Sequence, residues 1–364
     1  MTSQSSHNAP NRLPATSLGG RAGGVLALAA LTVALLLPLE GAPVPGAAAG
    51  QTTAPSPPGV ADTLSSTLAE LPGIEGALDA AENIDAERLL ETQAALAHDS
   101  MEGRYAGTEG SHMARDLIED RFRELGLEPA FGDSFRQPFQ AEPGEGEAIE
   151  AENVAGVIPG EEHPERYMVI TAHFDHLGVR DGEIYNGADD NASGTAGILE
   201  LAAYFQEERP AHTLVFAAMD AEEMGLQGAR AFVEEPPMEL ESVLLNVNLD
   251  MVSRSETNEL YAAGTHHYPF LASFLHEVGR FADVELLLGY DSPDDPQDWT
   301  MASDHGAFHE EGIPFIYFGV EDHPGYHDPS DVFEEITPEF YVNAVETALD
   351  FVRLMDRVLP QSVR

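Results

Sequence analysis

The chain has 364 residues, of which 43% are hydrophobic, so it is long enough for one large domain with a buried core. It carries 64 acidic residues against 17 basic ones, and the formal net charge of -47 argues against nucleic acid and anionic membrane surfaces as partners. It contains no cysteine, which excludes disulfide bonds and thiolate metal ligands.

The strong acidity also suggests the medium in which the protein works. All of the basic residues are arginines, and lysine is absent. We interpret this composition as adaptation to high salt, where counterions screen the repulsion between surface carboxylates. The alternative interpretation is a very soluble secreted protein without salt adaptation.

The N-terminal 49 residues have the pattern of a targeting segment. Arg12 and Arg21 precede an apolar run over 23–39, and small residues follow that run. This order is typical of a secretory signal peptide. The run has 17 residues, whereas a membrane-spanning helix needs about 20, so an uncleaved N-terminal anchor is the alternative. Either interpretation predicts an exported protein, periplasmic or extracellular.

Residues 50–80 are rich in Pro, Ala, Ser, Thr and Gly, which predicts a flexible linker before a catalytic domain over 81–360. Helical periodicity opens that domain over 84–96 and again over 111–125, and Gly126 is a natural helix stop. An irregular stretch with several prolines and glycines follows.

Strands and helices then alternate. Apolar runs predict strands over 167–171, 213–219, 243–249, 260–263 and 313–318. Helical patterns fall between or after them, over 197–205, 229–234, 270–281 and 339–358. Continuous apolar strands separated by helices predict an α/β fold, a three-layer α/β/α sandwich with a mostly parallel mixed central sheet.

Histidine and carboxylate side chains follow these strands in an order that predicts a hydrolytic two-metal site. Open α/β sheets bind ligands at the carboxyl ends of their strands, and imidazole and carboxylate are suitable donors for zinc. Each residue alone is weak evidence in so acidic a chain, but the ordered set is strong. Five of the candidates would be metal ligands, and one of the two adjacent glutamates would be the general base. The six candidate residues are His173, Asp190, Glu222, Glu223, Asp250 and His327.

These motifs resemble those of the two-zinc exopeptidases, which include bacterial leucyl aminopeptidases and aminopeptidase Y and are related to glutamate carboxypeptidase II and the glutaminyl cyclases. The resemblance covers roughly residues 85–358 and is carried by His-Phe-Asp, Gly-Ala-Asp-Asp-Asn-Ala-Ser-Gly, Asp-Ala-Glu-Glu, Asn-Leu-Asp-Met and Tyr-His-Asp-Pro-Ser-Asp. It implies two zinc ions, with His173 and Asp250 on one, Glu223 and His327 on the other, and Asp190 between them.

The resemblance also implies roles for neighbouring residues. Glu222 would take a proton from the attacking water and pass it to the leaving amine, and Tyr326 would polarise the scissile carbonyl. A cis peptide bond is expected after Asp190. Independently of the resemblance, Asp175 can accept the second ring N–H of His173 and fix its tautomer.

Other polar residues are expected to stay off the metals. Asp304 and His305 should support the pocket wall, and His266 and His267 should be surface groups or outer neighbours of the site. Several larger relatives insert a protease-associated domain after the N-terminal helices. Only about 30 residues lie between Gly126 and Asn153, so no such domain is expected here.

The sequence therefore predicts an exported zinc aminopeptidase acting on peptides with a free N-terminus. Glutaminyl cyclase, dipeptidase and carboxypeptidase activities remain alternatives on the same scaffold. A metal-free binding module is disfavoured, because such relatives typically lose ligands or the base, and all six residues are present here.

Overall fold

The computed structural model of the protein describes residue 78 and residues 83–144 and 146–359. The predicted targeting segment lies outside the described residues, as does the predicted linker except for Leu78, which is buried. No helix within the described ranges combines the length and apolar character needed to cross a bilayer.

The centre of the described domain is a mixed sheet of nine strands, and two further strands form a separate hairpin. The strands are β1 (Glu128–Pro129), β2 (Arg136–Ala141), β3 (Ile149–Ile158), β4 (His163–His173), β5 (Gly178–Arg180), β6 (Glu183–Tyr185), β7 (His212–Met219), β8 (Val243–Leu249), β9 (Glu259–Ala263), β10 (Glu285–Leu288) and β11 (Phe315–Gly319). The strand order in the sheet is β1-β3-β7-β4-β8-β11-β9-β10, with β2 paired to β3, and β5 and β6 form the hairpin.

The parallel part of the sheet is its centre. Strand β4 pairs in parallel with β7 on one side and with β8 on the other, and β8 pairs in parallel with β11. Antiparallel pairings add β3 beside β7 and β9 beside β11. The predicted α/β sandwich with a mixed sheet is confirmed, and its antiparallel strands lie on the two flanks.

Helices cover both faces of the sheet. They are α1 (Ala86–Leu96), α2 (Glu109–Leu125), α3 (Gly194–Glu207), α4 (Gln227–Glu234), α5 (Ala272–Val278), α6 (His305–Glu310) and α7 (Pro338–Val358). Helices α1, α2, α3, α5 and α7 contribute to the larger hydrophobic core, whereas α4 and α6 pack in a second core on the opposite face.

Alternation along the central strands explains these two cores. Met168 and Ile170 of β4 pack in the larger core, and Val169 between them packs in the second. Successive side chains of a strand point to opposite faces, so a continuous apolar run supplies both layers. This is why the central strands read as unbroken hydrophobic segments.

The helix boundaries follow local capping signals. Asp85 accepts a hydrogen bond from the backbone N–H of Arg88 at the start of α1, and Thr108 caps α2 in the same way. Helix α2 ends at Gly126, which adopts the left-handed conformation with φ of 79°. The predicted glycine stop is confirmed.

Two sequence predictions need correction. The stretch after Gly126 is not irregular throughout, because it forms β1, β2 and the start of β3. Pro138 is tolerated within β2, which pairs only with β3. The helix predicted over 270–281 is a short 3-10 turn, Pro269–Leu271, followed by α5.

Candidate metal centre

The candidate residues meet at the carboxyl edge of the central parallel strands. His173 ends β4 and lies in register with Met219, the last residue of β7. The acidic run at 220–223 follows β7, and Asp250 follows β8. Because β4 lies between β7 and β8, these strand ends form a crevice, the position where open α/β sheets place their ligands.

Asp190 lies at the centre of the site with its two carboxylate oxygens facing different partners. Its Oδ1 is 3.4 Å from Nε2 of His173, and its Oδ2 is 3.2 Å from Nε2 of His327. The side chain is nearly fully buried. One carboxylate is therefore shared between two groups of donors.

The first group is formed by His173, Asp190 and Asp250. Nε2 of His173 lies 3.4 Å from Oδ1 of Asp250 and 4.0 Å from Oε2 of Glu222. One donor atom from each of the three residues lies within 4.8 Å of the others. This is the group that the family resemblance assigned to one metal position.

The second group is formed around Glu223. Its Oε2 lies 3.1 Å from Nε2 of His327, which also faces Asp190. Its Oε1 lies 2.7 Å from Nδ1 of His176, a buried residue that the sequence analysis did not single out. His176, Asp190 and Glu223 also offer donor atoms within 4.8 Å of one another. All five predicted ligands and Glu222 are thus brought together.

The loop that carries Asp190 is held by its own neighbours. The peptide bond from Asp190 to Asn191 is cis, as expected. The amide of Asn191 donates to the carbonyl of Leu249 at 3.0 Å and accepts from the N–H of Gly194 at 2.8 Å. The Asp331 carboxylate accepts the N–H groups of Asp189 and Asp190. These bonds connect the loop to the end of β8 and the start of α3.

Asp175 connects the end of β4 to the acidic segment that follows β7. Its carboxylate accepts the backbone N–H groups of Glu222 at 3.0 Å and Glu223 at 3.4 Å. Nδ1 of His173 lies 3.6 Å from that carboxylate and 3.2 Å from the Asp175 backbone carbonyl. The nearer acceptor for the ring N–H is therefore the backbone carbonyl, and the carboxylate positions the glutamate pair.

Electrostatics in the site is dominated by buried carboxylates facing histidines. Burial lowers the pKa of His173, but the negative charges of Asp250 and Glu222 outweigh it and hold that pKa well above its usual range. Burial likewise opposes protonation of His327, yet hydrogen bonds with Asp190 and Glu223 raise its pKa to about 10. Burial raises the pKa of Glu222 well above its usual range, with His173 opposing the shift and Asp250 adding to it.

The donor set fits metal ions of the zinc type. Oε1 of Glu223, Oδ1 of Asp250 and both ring nitrogens of His176 are buried without a hydrogen-bond partner among the described residues. Buried polar atoms are almost always paired, so such convergent atoms indicate a missing partner. Imidazole nitrogens with carboxylates and no thiolates are donors for zinc.

The donors open into a pocket of about 300 Å³. Glu222 and Tyr326 both line it, and Trp299, Tyr317 and Val320 contribute its apolar wall. The Tyr326 ring stacks on His327 with centroids 4.0 Å apart and is 37% exposed. Tyr326 therefore lies at the rim, beside the donors of the second group.

The four residues that the sequence predicted to stay off the metals do not line the pocket: Asp304, His305, His266 and His267. His305 is fully buried, and its Nε2 donates to the carbonyl of Trp299 at 2.8 Å, so it supports the pocket wall as expected. Asp304 is also fully buried. His267 pairs with Thr300 through a 2.9 Å contact, and neither His266 nor His267 lines the pocket.

Arg104 is a further site residue that the sequence analysis missed. Its guanidinium is fully buried and donates to the carbonyls of Phe174, Asn186 and Gly187 at 2.6–2.9 Å, and also to that of Leu96. Burial lowers its pKa to about 10. Arg104 thus joins the segment after His173 to the loop that leads into Asp190.

Comparisons with known proteins agree with this geometry. A family model described as Peptidase family M28 matches residues 153–352. Aminopeptidase YwaD of Bacillus subtilis is 32% identical over an alignment of 200 residues that covers 52% of this chain and 41% of that protein. The matches reach less than half the length of the curated relatives.

Two solved structures share the fold. A zinc aminopeptidase from Bacillus subtilis, BSAP, superposes with a TM-score of 0.60 at 20% identity, covering 74% of this chain and 95% of that one. A glutaminyl cyclase from Bacteroides thetaiotaomicron, bound to N-acetylhistamine, gives a TM-score of 0.61 at 16% identity, covering 74% and 98%. Since the family model spans more than half of the chain, including every candidate metal ligand, the protein belongs to peptidase family M28.

Proposed function

We propose that the protein is a two-zinc aminopeptidase that removes N-terminal residues from peptides. The observation that carries the proposal is the division of the Asp190 carboxylate, with one oxygen facing His173 and the other facing His327. A carboxylate in this position can bridge two ions about 3.5–4 Å apart, the spacing of hydrolytic two-metal sites.

In this proposal the chain holds the ions through the residues already described. His173 and Asp250 would hold one zinc, Glu223 and His327 would hold the other, and Asp190 would be shared between them. The zinc ions would supply Lewis acidity toward the scissile carbonyl and the attacking water. All other steps belong to side chains of the protein.

Glu222 is the proposed general base. It lies in the pocket, 4.0 Å from His173, and its carboxylate has no arginine ion-pair partner in the described part of the chain. Its raised pKa suits a group that takes a proton from water and then delivers it to the leaving amine. Tyr326, at the rim, is proposed to donate a hydrogen bond to the scissile carbonyl.

The second donor group favours an aminopeptidase over a single-zinc cyclase. The second oxygen of Asp190 lies beside Glu223 and His327, so these residues would provide ligands for a second ion. YwaD is named an aminopeptidase, which supports the same choice. The cyclase structure shares only the fold at 16% identity. Dipeptidase and carboxypeptidase activities remain alternatives.

The wider organisation is also part of the proposal. We propose that residues 1–49 direct export, that 50–80 link them to the catalytic domain, and that this domain occupies 81–360 without an inserted protease-associated domain. Peptides with a free N-terminus are the proposed partners. Mass spectrometry of the mature protein from the medium or periplasm would test the export step, because a signal peptide leaves a cut near residue 50.

The activity is tested with the full chain, purified in high salt and supplied with zinc. Aminoacyl-p-nitroanilides with free and acetylated amino termini are compared before and after chelation. We expect chelator-sensitive cleavage of only the free-amine substrates, restored by adding zinc back. Cleavage of neither set by a zinc-loaded protein that cyclises N-terminal glutamine would instead establish a cyclase.

A further inference from the structure

His176 is a buried histidine with no role in the proposed reaction so far. It follows His173 by three residues and is fully shielded from solvent. It belongs neither to the hydrophobic cores nor to the pocket lining. Both of its ring nitrogens lack a hydrogen-bond partner among the described residues. A buried imidazole without partners is costly, so its position calls for a ligand.

The ring nitrogen of His176 converges on the second donor group. Nδ1 lies 2.7 Å from Oε1 of Glu223 and 3.7 Å from Oδ2 of Asp190. The contact between Nδ1 and Oε1 is short, but its angles are not those of a hydrogen bond, and neither atom has a hydrogen-bond partner among the described residues. Two ligand atoms that coordinate the same metal ion lie close together without a hydrogen bond between them.

The backbone holds the His176 ring in place. Gly187 lies against it, and a Cβ added there would be 2.5 Å from Cγ of the ring. Gly187 also has a φ of +56°, which a glycine adopts without strain. Arg104 bonds the carbonyls of both Phe174 and Gly187, so the segments on either side of the ring are fixed together.

We propose that His176 binds the second zinc through Nδ1, as a ligand in addition to Asp190, Glu223 and His327. The inference rests on the proposed two-zinc site and deepens it. The His176 and His327 rings are 5.9 Å apart at an angle of 62°, so they approach the second position from different directions. His327 is 39% exposed at its side chain, whereas His176 is inaccessible to water.

This arrangement gives the second ion one inner and one outer histidine. His327 belongs to a loop at the pocket rim, and its side chain is 39% exposed, so water can reach it. His176 belongs to the segment that follows β4 and is enclosed by protein. The inner histidine therefore retains the second ion when the outer loop is perturbed.

The test measures cobalt binding to the metal-stripped full chain, by stoichiometry, affinity and visible absorption. The variants are His176→Ala and His176→Asn, where Asn places an N–H donor near the original Nδ1. The control is His212→Asn, which removes a buried histidine at the opposite end of β7 that bonds Asp356. Thermal unfolding of each variant verifies folding.

We expect wild type and the His212→Asn control to bind two ions. In both His176 variants the second ion should bind at least about tenfold more weakly, and its absorption bands should shift because one nitrogen donor is lost. Unchanged bands, or recovery of wild-type affinity in His176→Asn, would overturn the inference by assigning His176 a hydrogen bond to Glu223 instead. Failure of wild type to bind two ions would contradict the two-zinc proposal itself, so the two failures are distinguishable.

Discussion

Glu222 is the residue on which the proposed reaction depends most directly. We expect Glu222→Gln to lower kcat about 100- to 10,000-fold, the usual contribution of a general base, because the amide cannot accept the proton. Zinc content should stay unchanged, since Glu223 and not Glu222 lies beside His327 and His176. Steady-state kinetics and metal analysis on the same preparation check both parts.

A positive control for that experiment is Glu223→Gln, which should lose metal as well as activity. Retention of wild-type kcat by the Glu222 variant would remove Glu222 from the mechanism. Loss of zinc from the Glu222 variant would show that it is a ligand.

His305 gives a prediction about pH. Burial lowers the pKa of His305 to about 3, against an ordinary value of 6.5. The unfolded chain therefore binds a proton at this residue below about pH 6.5, while the folded chain does not. The stability associated with neutral His305 is fully present above pH 6.5 and is lost as the pH falls toward 3.

Glutamine at position 305 can keep the N–H donor for the Trp299 carbonyl but cannot take up a proton. We expect the free energy of unfolding of His305→Gln to fall less between pH 7 and pH 4 than that of wild type. The difference should approach about 3 kcal/mol, since one pKa unit corresponds to about 1.4 kcal/mol. Parallel curves from urea titrations at each pH would contradict this assignment.

At the scale of elements, Arg104 joins segments that are distant in sequence. Its guanidinium satisfies the carbonyls of Leu96, Phe174, Asn186 and Gly187, at the end of α1 and on both sides of the β5–β6 hairpin. We expect Arg104→Met to cost about 3 kcal/mol or more, because it leaves several buried carbonyls unpaired. Zinc affinity should fall with it, since these segments carry His176 and lead into Asp190.

The matched control is Arg230→Met. Arg230 is half exposed and pairs on the surface with Glu310, so its loss should change the free energy of unfolding by about 1 kcal/mol or less. Chemical denaturation of both variants measures the contrast. Equal stabilities would mean that the Arg104 bonds are replaced by water or by rearranged backbone.

The same elements show what the sequence could and could not predict. The central strands are continuous apolar runs that end at histidine or acidic residues, so both the strands and the site at their carboxyl ends were readable. The edge strands β1 and β2 contain proline, polar and exposed residues, which hides them from a periodicity argument.

His176 and Arg104 were missed for a different reason. His176 belongs to the motif His-Phe-Asp-His, but its proposed role depends on contact with Glu223, which lies 47 positions later in the chain. Arg104 looks like a surface residue in so acidic a chain, and only the folded backbone brings four carbonyls to it. The roles of these two residues depend on long-range contacts and leave no local pattern in the sequence.

For the whole molecule, the net charge of -47 is the dominant feature. The few arginines are used in clusters, as where Arg136 pairs with both Asp116 and Glu119 beside α2. There are too few arginines to pair with most of the carboxylates, because acidic residues outnumber basic ones 64 to 17. The folded chain therefore concentrates negative charge that the unfolded chain spreads over a larger volume.

This charge predicts that stability rises with salt. At 1 M ionic strength charges are screened beyond about 3 Å, whereas at 0.01 M repulsion extends to about 30 Å. We expect the folded fraction, followed by circular dichroism with zinc held constant, to fall as salt is reduced from molar to millimolar. Sucrose stabilises proteins without screening charge. Added to the low-salt sample of this protein, it should therefore restore less structure than added salt does. A spectrum and melting temperature that do not change over the whole salt range would reject salt adaptation, and would leave high solubility as the explanation of the acidic composition.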